Sequence, residues 1–290
     1  MLDRRVEILH EGRAVLIENG PLRLVIQVFS GEVAETELAK EAAEIAFDCL
    51  ARVAKAQYFL RKRHSHITLE PEDDIAATML ASVRRIGDLD LTPMAAVAGT
   101  IADFVADWLF SHNVTRVIVD NGGDIAIRLQ EGEAVRVGIR PTIESREITH
   151  SILLDSRFSS WGVNTSGIGG RSLTRGIASA VTVFAESSSI ADAAATAIAN
   201  ACFAEDENIH QVPARMVDPG SDLGDVLVTV SASGLSPKTI AEALNNGLEK
   251  ALVVQRQGEI RGALLAVGGK YVQTPGFAKA VGELSPITNL

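Results

Sequence analysis

Residues 116–129 read Arg-Val-Ile-Val-Asp-Asn-Gly-Gly-Asp-Ile-Ala-Ile-Arg-Leu, two aliphatic runs on either side of a polar, glycine-containing turn. Branched aliphatic residues favour strands, and an Asn-Gly pair between two such runs favours the positive φ angles of a type I′ turn. We therefore predict a hairpin of strands 116–120 and 124–129, with Asn121-Gly122 at its turn.

Upstream of this hairpin the apolar residues change from strand spacing to helix spacing. Three short alternating runs, at 6–10, 14–18 and 22–29, predict an antiparallel meander. Three helical patterns follow: Thr36 to about Leu60, a segment that starts at Pro71 and ends at Gly87, and a segment from Thr92-Pro93 to near His112. The first 130 residues are therefore predicted to contain strands, then helices, then strands.

Downstream of the hairpin the order of strands and helices is partly repeated. Residues 206–224 lack either pattern and are predicted to form a long surface loop. The other predicted elements are strands near 134–140, 148–154 and 176–185, a helix from Ser189 to Ala204, a strand at 226–231, a helix from Ser236-Pro237 to about Val253, and strands after Arg261. We predict an α+β fold, one domain over residues 1–290, in which antiparallel sheets pack against helices in two pseudo-repeated halves at about 1–130 and 131–290.

Composition limits the classes of partner. With 290 residues, of which 47% are hydrophobic, the chain can bury a sizeable core. A net charge of −10 disfavours nucleic acid and anionic membranes as partners. No apolar run reaches the length of a membrane span, and no export signal follows Met1. We expect a cytoplasmic protein that binds a small molecule, and a homo-oligomer is compatible with this composition.

Two sets of residues receive a structural interpretation. Cys49 and Cys202 lie among apolar residues outside any Cys/His pattern, which predicts buried, reduced thiols. His64 and His66 flank one serine without a third ligand nearby, so a solvated pair is favoured over a metal site. The phosphate-loop, dinucleotide-binding, zinc-protease and serine-hydrolase signatures are absent from the sequence.

A glycine-rich run at residues 161–171 is the first candidate binding segment. Gly167, Gly169 and Gly170 allow backbone N–H groups to converge on an anion, and Arg171 and Arg175 could add charge-assisted hydrogen bonds. The alternative is a connection between strands. The residues alone leave both interpretations open.

Asp192 and Thr196 form the second candidate. They stand four residues apart on the predicted helix, so their oxygens point from one face and can bind one hard cation such as Mg²⁺. In the alternative, Ser189 caps the helix, Asp192 favours its dipole, and Thr196 lies on the surface. The residues by themselves favour this structural alternative.

Three segments, in this order, resemble the ApbE-type flavin transferases, which move an FMN group from FAD to a protein threonine with magnesium. They are residues 90–103 (Asp-Leu-Thr-Pro-Met-Ala-Ala-Val-Ala-Gly, leading to Ala-Asp), residues 119–125 (Val-Asp-Asn-Gly-Gly-Asp-Ile), and Thr165-Ser166-Gly167 followed by residues 191–197 (Ala-Asp-Ala-Ala-Ala-Thr-Ala). The resemblance covers about residues 88–200, and it implies an ApbE-like, T-fold-type duplicated unit.

The resemblance also implies a set of site residues. In that family an Ala-Asp-Ala-x-x-Thr helix supplies the carboxylate and hydroxyl ligands of the metal, which match Asp192 and Thr196. The family's backbone carbonyl ligand falls here near Ala95 or Ala96. The remaining matches imply a site for FAD or FMN that is lined by Asn121, Gly122, Gly123, Asp124, Thr165, Ser166, Gly167 and Arg171.

The sequence departs from the family pattern in two segments that matter for the chemistry. The family's Lys-Gly pair is Ala98-Gly99 here, and no His-x-x-Asp-Pro-x-Thr-Gly segment follows Gly167. His150 precedes the Thr-Ser-Gly segment, so it inherits no catalytic role. An N-terminal lipoprotein signal, common among those transferases, is also missing, so the sequence most resembles a cytosolic branch of the superfamily.

Two functional hypotheses follow. The first is an enzyme, a magnesium-dependent transferase or a hydrolase such as an FAD pyrophosphatase, that acts on a nucleotide diphosphate. The second is a binding or accessory protein without the transfer chemistry; relatives in this branch have been linked to the assimilation of sulfur into homocysteine. The missing lysine and the missing segment favour the second hypothesis over faithful FMN transfer.

Overall fold

The computed structural model describes residues 4–140, 148–170 and 172–280. Helices occupy Thr36–Leu60 (α1), Asp74–Ile86 (α2), Val97–Phe110 (α3), Ser188–Ala201 (α4), Ala214–Val217 (α5), Pro237–Arg256 (α6) and Pro275–Ala280 (α7). Strands occupy Arg5–Leu9 (β1), Ala14–Asn19 (β2), Leu22–Ser30 (β3), Val33–Ala34 (β4), Arg116–Asp120 (β5), Asp124–Leu129 (β6), Ala134–Ile139 (β7), His150–Asp155 (β8), Ser160–Ser166 (β9), Ala180–Ala185 (β10), Ile209–Pro213 (β11), Leu227–Ala232 (β12), Gly262–Val267 (β13) and Lys270–Gln273 (β14). The predicted α+β class, antiparallel sheets with helices, is confirmed.

The chain forms two compact units, each assembled from separate segments. The first unit comprises Met1–Glu133, Ser156–Asn164 and Phe184–Ala194, and the second comprises Ala134–Asp155, Thr165–Val183 and Ala195–Leu290. The duplication of two halves stays a prediction.

The first unit is an antiparallel sheet with three helices. The strand order is β1-β2-β3-β5-β6-β9, with β4 paired to β3. Alternate strand residues such as Leu24 and Ile26 are fully buried, because strand side chains alternate between faces. They share a hydrophobic core with residues of α1, α2 and α3.

The ends of α2 follow from its capping residues, and the helix begins at Asp74 rather than at the predicted Pro71. The Asp73 carboxylate accepts hydrogen bonds from the N–H groups of Ile75 and Ala76, at 3.0 and 3.1 Å. Gly87 ends the helix with a φ of 68°, a left-handed conformation that glycine adopts without steric cost.

The second unit contains the strand order β10-β13-β14 and two separate hairpins, β7-β8 and β11-β12. Helix α6 packs against β13. Pro237 occupies the first turn of α6, and the Ser236 hydroxyl accepts a hydrogen bond from the Thr239 N–H at 3.1 Å. These are the residues that favour a helix start.

Several predicted elements are corrected. Strand β9 covers the first half of the run that we treated as a binding segment or a connection, and β11 and α5 lie within the predicted long loop. Helix α4 ends at Ala201 rather than Ala204, and the strand predicted from residue 176 begins at Ala180. His64 and His66 lie in a short 3₁₀ turn. The predicted solvated pair is wrong for His64, which is buried with its Nε2 2.8 Å from the Asp88 carbonyl oxygen, whereas His66 is exposed.

Among the described residues, one segment, Pro93–Phe110, is apolar and long enough to cross a membrane, by length and composition alone. It consists of a 3₁₀ turn, Pro93–Ala96, and α3. More than half of it, 56%, is buried inside the protein. The core helix of a globular domain has this composition.

Candidate functional site

The start of α3 is capped by a carboxylate from another helix. The N–H groups of Ala98 and Gly99 donate to the Asp192 carboxylate, with 2.9 Å between the Gly99 nitrogen and Asp192 Oδ2. The first N–H groups of a helix lack partners within it, and a negative charge there is favourable. The sequence alternative placed Asp192 against the dipole of its own helix, whereas its hydrogen bonds cap α3.

Helix α4 is capped in the same way from α3. The Ser188 N–H donates to Asp103 Oδ1 at 3.1 Å, and the Ser189 N–H donates to Asp103 Oδ2 at 2.8 Å. Each helix therefore supplies the carboxylate that caps the other. We call Asp103, Asp192 and the four N–H groups they accept the reciprocal cap; all of it lies in the first unit.

Two glycines make this close approach of backbones sterically allowed. A Cβ atom at Gly99 would lie 2.3 Å from the Ser188 carbonyl oxygen and 2.9 Å from the Asp192 Cβ. A Cβ at Gly162 would lie 2.2 Å from the Ser187 carbonyl oxygen. Glycine at these positions is a packing requirement.

A buried ion pair supports the reciprocal cap. Arg128 on β6 places Nη2 3.0 Å from Asp103 Oδ1 and Nε 2.6 Å from Asp107 Oδ1. The side chains of Arg128 and Asp103 are 6% and 7% exposed, so both charges are removed from water and depend on the partners that they contact.

The turn of the β5-β6 hairpin contacts the start of α3. The Asn121 N–H donates to the Asp124 carbonyl at 3.0 Å, so the central residues are Gly122 and Gly123, with φ angles of 70° and 105°. The predicted centre, Asn121-Gly122, is wrong by one residue. Asn121 instead donates its side-chain amide to the Ala98 carbonyl at 3.2 Å.

Asp124 is linked to the start of α4 through a buried amide. Asn164 Nδ2 donates to Asp124 Oδ1, and the Ser188 hydroxyl donates to Asn164 Oδ1, both at 3.0 Å. Asn164 is fully buried. Asn121, Asp124 and Asp192, three of the residues chosen from the sequence, are thereby brought together around the starts of α3 and α4.

Asp192 is buried close to a second carboxylate. Burial raises the pKa of the Asp192 carboxyl well above its ordinary value, and the Asp124 carboxylate raises it further. The hydrogen bonds from Gly99 and Ala98 act in the opposite direction. Two carboxylates in a site of low dielectric repel each other, and a bound cation would remove that repulsion.

The donor chemistry of this region fits magnesium. Within residues 4–140, 148–170 and 172–280, no three His, Cys, Asp or Glu side chains form a metal-binding group. Mg²⁺ usually takes one or two carboxylates and completes its shell with waters, carbonyls and substrate phosphates. Asp192 and Asp124 are the two carboxylates that a cation here would meet, and the Ala95 carbonyl lies in the 3₁₀ turn before α3.

Another polar atom of α3 has an unmet hydrogen-bonding capacity. The Thr100 hydroxyl is fully buried, and in the described part of the chain it has no hydrogen-bond partner. A buried hydroxyl without a partner is uncommon and costs free energy.

The other predicted site residues belong to the second unit or lie outside the described residues. The Thr165 hydroxyl is 2.9 Å from the Thr182 hydroxyl, Ser166 ends β9, and a Cβ at Gly167 would lie 2.7 Å from the Ser179 carbonyl oxygen. Thr196 is half-buried on α4. Arg171 lies outside the described residues, so the anion-binding role of this segment stays a prediction.

Comparison with known proteins gives one family and one fold. A family model described as "AbpE bacteria" matches residues 6–273. Among curated proteins, a UPF0280 protein of Methanosarcina barkeri is 34% identical over 61% of this chain and 68% of its own length. One of Methanosarcina acetivorans is 34% identical over 65% and 73%.

Two solved structures share the fold. The apo form of the Pseudomonas stutzeri flavinyl transferase ApbE matches with a TM-score of 0.53 and 17% identity, over 97% of this chain and 99% of its own. The ApbE protein of Thermotoga maritima matches with a TM-score of 0.54 and 14% identity, over 98% and 100%. At these identities the likeness concerns the fold alone.

Proposed function

Because the chain belongs to the AbpE bacteria family, we propose that it binds a flavin or adenine nucleotide together with Mg²⁺, and that Asp192 is the carboxylate that holds the metal. The observation that carries this proposal is the buried Asp192 carboxylate beside the half-buried Asp124 carboxylate. Asp192 and Asp124 repel each other at the start of α3, and hard oxygen ligands are those that Mg²⁺ prefers.

The residues of the site have distinct parts in the proposal. Asp192 and the Ala95 carbonyl bind the metal, and Thr196 joins them if the sequence motif is followed. The turn Asn121-Gly122-Gly123-Asp124 lies against the ligand, since a Cβ at Gly123 would meet only open space within 4 Å. Thr165, Ser166, Gly167 and Arg171 bind the anionic groups. When bound, the metal neutralises negative charge on the phosphates.

We further propose that the chain does not transfer FMN to a protein threonine. At the position of the family's lysine stands Ala98, whose side chain carries no charge and whose carbonyl accepts the Asn121 amide. No ammonium group is therefore available from this residue to pair with a phosphate. Binding and transfer should be separable in this protein.

Titration calorimetry tests the binding proposal. FAD, FMN and ADP are titrated with and without Mg²⁺ into the wild-type protein, Asp192→Asn and the exposed-site control Glu41→Gln. We expect Mg²⁺ to tighten binding of a diphosphate ligand in the wild type and in the control, and to have no effect in Asp192→Asn. The asparagine keeps one acceptor for the Gly99 N–H. Failure of all three ligands to bind the wild type would refute the proposal.

A second assay tests the absence of transfer. The protein is incubated with FAD, Mg²⁺ and an acceptor protein that carries the flavinylation motif, and the products are analysed by in-gel fluorescence and mass spectrometry. We expect no covalent adduct; an FMN-labelled acceptor would restore the transferase hypothesis. Release of AMP and FMN without an adduct would identify a hydrolase in which water replaces the acceptor. If the protein neither binds FAD nor turns it over, the accessory hypothesis is favoured.

A further inference from the structure

We propose that Asp103 is a positioning residue for Asp192, and that the reciprocal cap is the device by which it acts. This inference rests on the proposed function, because it concerns the carboxylate assigned to the metal. Asp103 accepts the N–H groups of Ser188 and Ser189, and Asp192 follows Ser188 by four residues on α4. One helical turn therefore connects the capped end to the metal carboxylate.

The hydrogen bonds act in both directions between the two helices. Asp103 on α3 holds the start of α4, while Asp192 on α4 accepts the Gly99 N–H at the start of α3. An α-helix is rigid over one turn, so a shift at Ser188 and Ser189 moves Asp192 with it. Removing the Asp103 carboxylate leaves the N–H groups of Ser188 and Ser189 without that acceptor, while the hydrogen bond from Gly99 to Asp192 remains.

A steric contact between the starts of α3 and α4 limits how closely the two helices can approach. A Cβ at Gly99 would lie 2.3 Å from the Ser188 carbonyl oxygen, so the two backbones are already as close as glycine permits. The hydrogen bonds oppose separation and the backbone contact opposes closer approach. Asp192 is thereby held within the narrow tolerance that a metal ligand requires.

Asp107, a second carboxylate that contacts Arg128, offers a matched control for Asp103. The Arg128 guanidinium contacts Asp103 through Nη2 and Asp107 through Nε, and the Asp107 side chain is 64% exposed. Asp107 lies one turn further along α3, and its carboxylate accepts a hydrogen bond from Arg128. Asp107→Asn therefore removes a carboxylate from the same cation and leaves the two N–H groups of α4 capped.

The experiment measures how strongly Mg²⁺ tightens ADP binding. The ratio of the ADP Kd without Mg²⁺ to that with saturating Mg²⁺ is determined by calorimetry for the wild type, Asp103→Asn, Asp107→Asn and Asp192→Asn. Melting temperatures are measured in parallel. We expect Asp103→Asn to reduce the ratio about tenfold and Asp107→Asn to leave it within about twofold, while Asp192→Asn, with a ratio of one, defines complete loss of the Mg²⁺ effect.

The outcomes separate the two proposals. A wild-type ratio of one refutes the proposed function, whatever Asp103 does. A normal wild-type ratio that Asp103→Asn lowers no more than Asp107→Asn, even with a lower melting temperature, refutes the positioning role.

A second variant keeps the test available if Asp103→Asn does not fold. Ser189→Pro removes one of the two N–H donors from the α4 side, and proline is tolerated in the first turn of a helix. It leaves the Asp103 carboxylate and its pair with Arg128 in place. The same loss of the Mg²⁺ effect is expected, and an unchanged ratio refutes the inference.

Discussion

Gly99 is the residue at which the starts of α3 and α4 meet. In an ordinary helix, replacing glycine by alanine stabilises by about 1 kcal/mol. Here the added Cβ would lie 2.3 Å from the oxygen and 2.6 Å from the carbon of the Ser188 carbonyl, and backbone atoms cannot rotate away. We predict that Gly99→Ala instead lowers the free energy of unfolding by about 1–3 kcal/mol, the typical cost of overpacking.

Urea denaturation measures this effect against a glycine that has more room. At Gly170 the nearest atom to an added Cβ is 3.4 Å away, an ordinary contact distance. Gly170→Ala should therefore change the free energy of unfolding by less than about 0.5 kcal/mol. If Gly99→Ala proves as stable as the wild type, the close contact of the two helices is absent from the folded protein.

For single residues, the sequence predicts which side chains can bind a ligand better than it predicts their hydrogen-bond partners. The spacing of Asp192 and Thr196 predicts that they share a helix face. The hydrogen bonds that Asp192 accepts, however, come from the N–H groups of Ala98 and Gly99, and Gly99 is 93 positions away in the sequence. Asp103, Arg128 and Asn164 are not among the site residues predicted from the sequence. One signal was available: an aspartate inside an apolar helix and an arginine inside an aliphatic strand must find partners when buried.

Among the elements, capped helices were the most predictable. Gly87 ends α2 as expected, and the helix begins at Asp74, three residues after the predicted start at Pro71, because capping depends on residues adjacent in the sequence. The hairpin turn moved by one residue because two glycines follow Asn121, and the glycine pair adopts both positive φ angles while Asn121 bonds to Ala98. Strand β9 was missed because its glycine and asparagine are poor strand formers and its pairing partner, β6, is distant in sequence.

Asp206 joins the start of α6 to the segment before β11. Its carboxylate accepts hydrogen bonds from the Thr239 hydroxyl at 2.6 Å, and from the N–H groups of Asn208 and Ser236 at 3.0 and 3.2 Å. The Thr239 bond contributes most to lowering the pKa of Asp206 from 3.8 to about 2. Ionised Asp206 therefore stabilises the folded chain above pH 3.8, and this stabilisation is lost as the pH falls towards 2.

We predict that the melting temperature of the wild type exceeds that of Asp206→Asn by a constant amount at neutral pH. The difference should shrink as the pH falls below the ordinary carboxyl value of 3.8. Scanning calorimetry across this range measures it, and Glu207→Gln controls for the removal of one acidic charge from the same segment. A difference that does not depend on pH would mean that the hydrogen bonds of Asp206 are not charge-dependent.

For the whole molecule, fold class was predictable because alternation and helical spacing appear throughout the chain. The division into units was not, because both units take segments from distant parts of the sequence. The boundary falls inside single elements: residues of β9, β10 and α4 are divided between the two units. Elements shared in this way should make the units unfold together rather than in separate steps.

The two cysteines provide one probe in each unit. Cys49 lies in the first unit and Cys202 in the second, and both are buried and free. Burial raises the pKa of Cys49 to about 11 and that of Cys202 to about 12. The thiolate is the reactive form, so neither thiol should react with a maleimide near neutral pH until its surroundings unfold.

We predict that both cysteines become reactive over the same range of urea concentration, with equal midpoints. Pulsed maleimide labelling of the single-cysteine variants Cys49→Ala and Cys202→Ala, read by mass spectrometry, measures each midpoint separately. Glu41→Cys in a cysteine-free background, exposed on α1, should label at once without urea and gives the unprotected rate. Because α4 and two strands contribute residues to both units, unfolding one unit removes part of the other. Midpoints that differ beyond experimental error would show that the units unfold independently in spite of these shared elements.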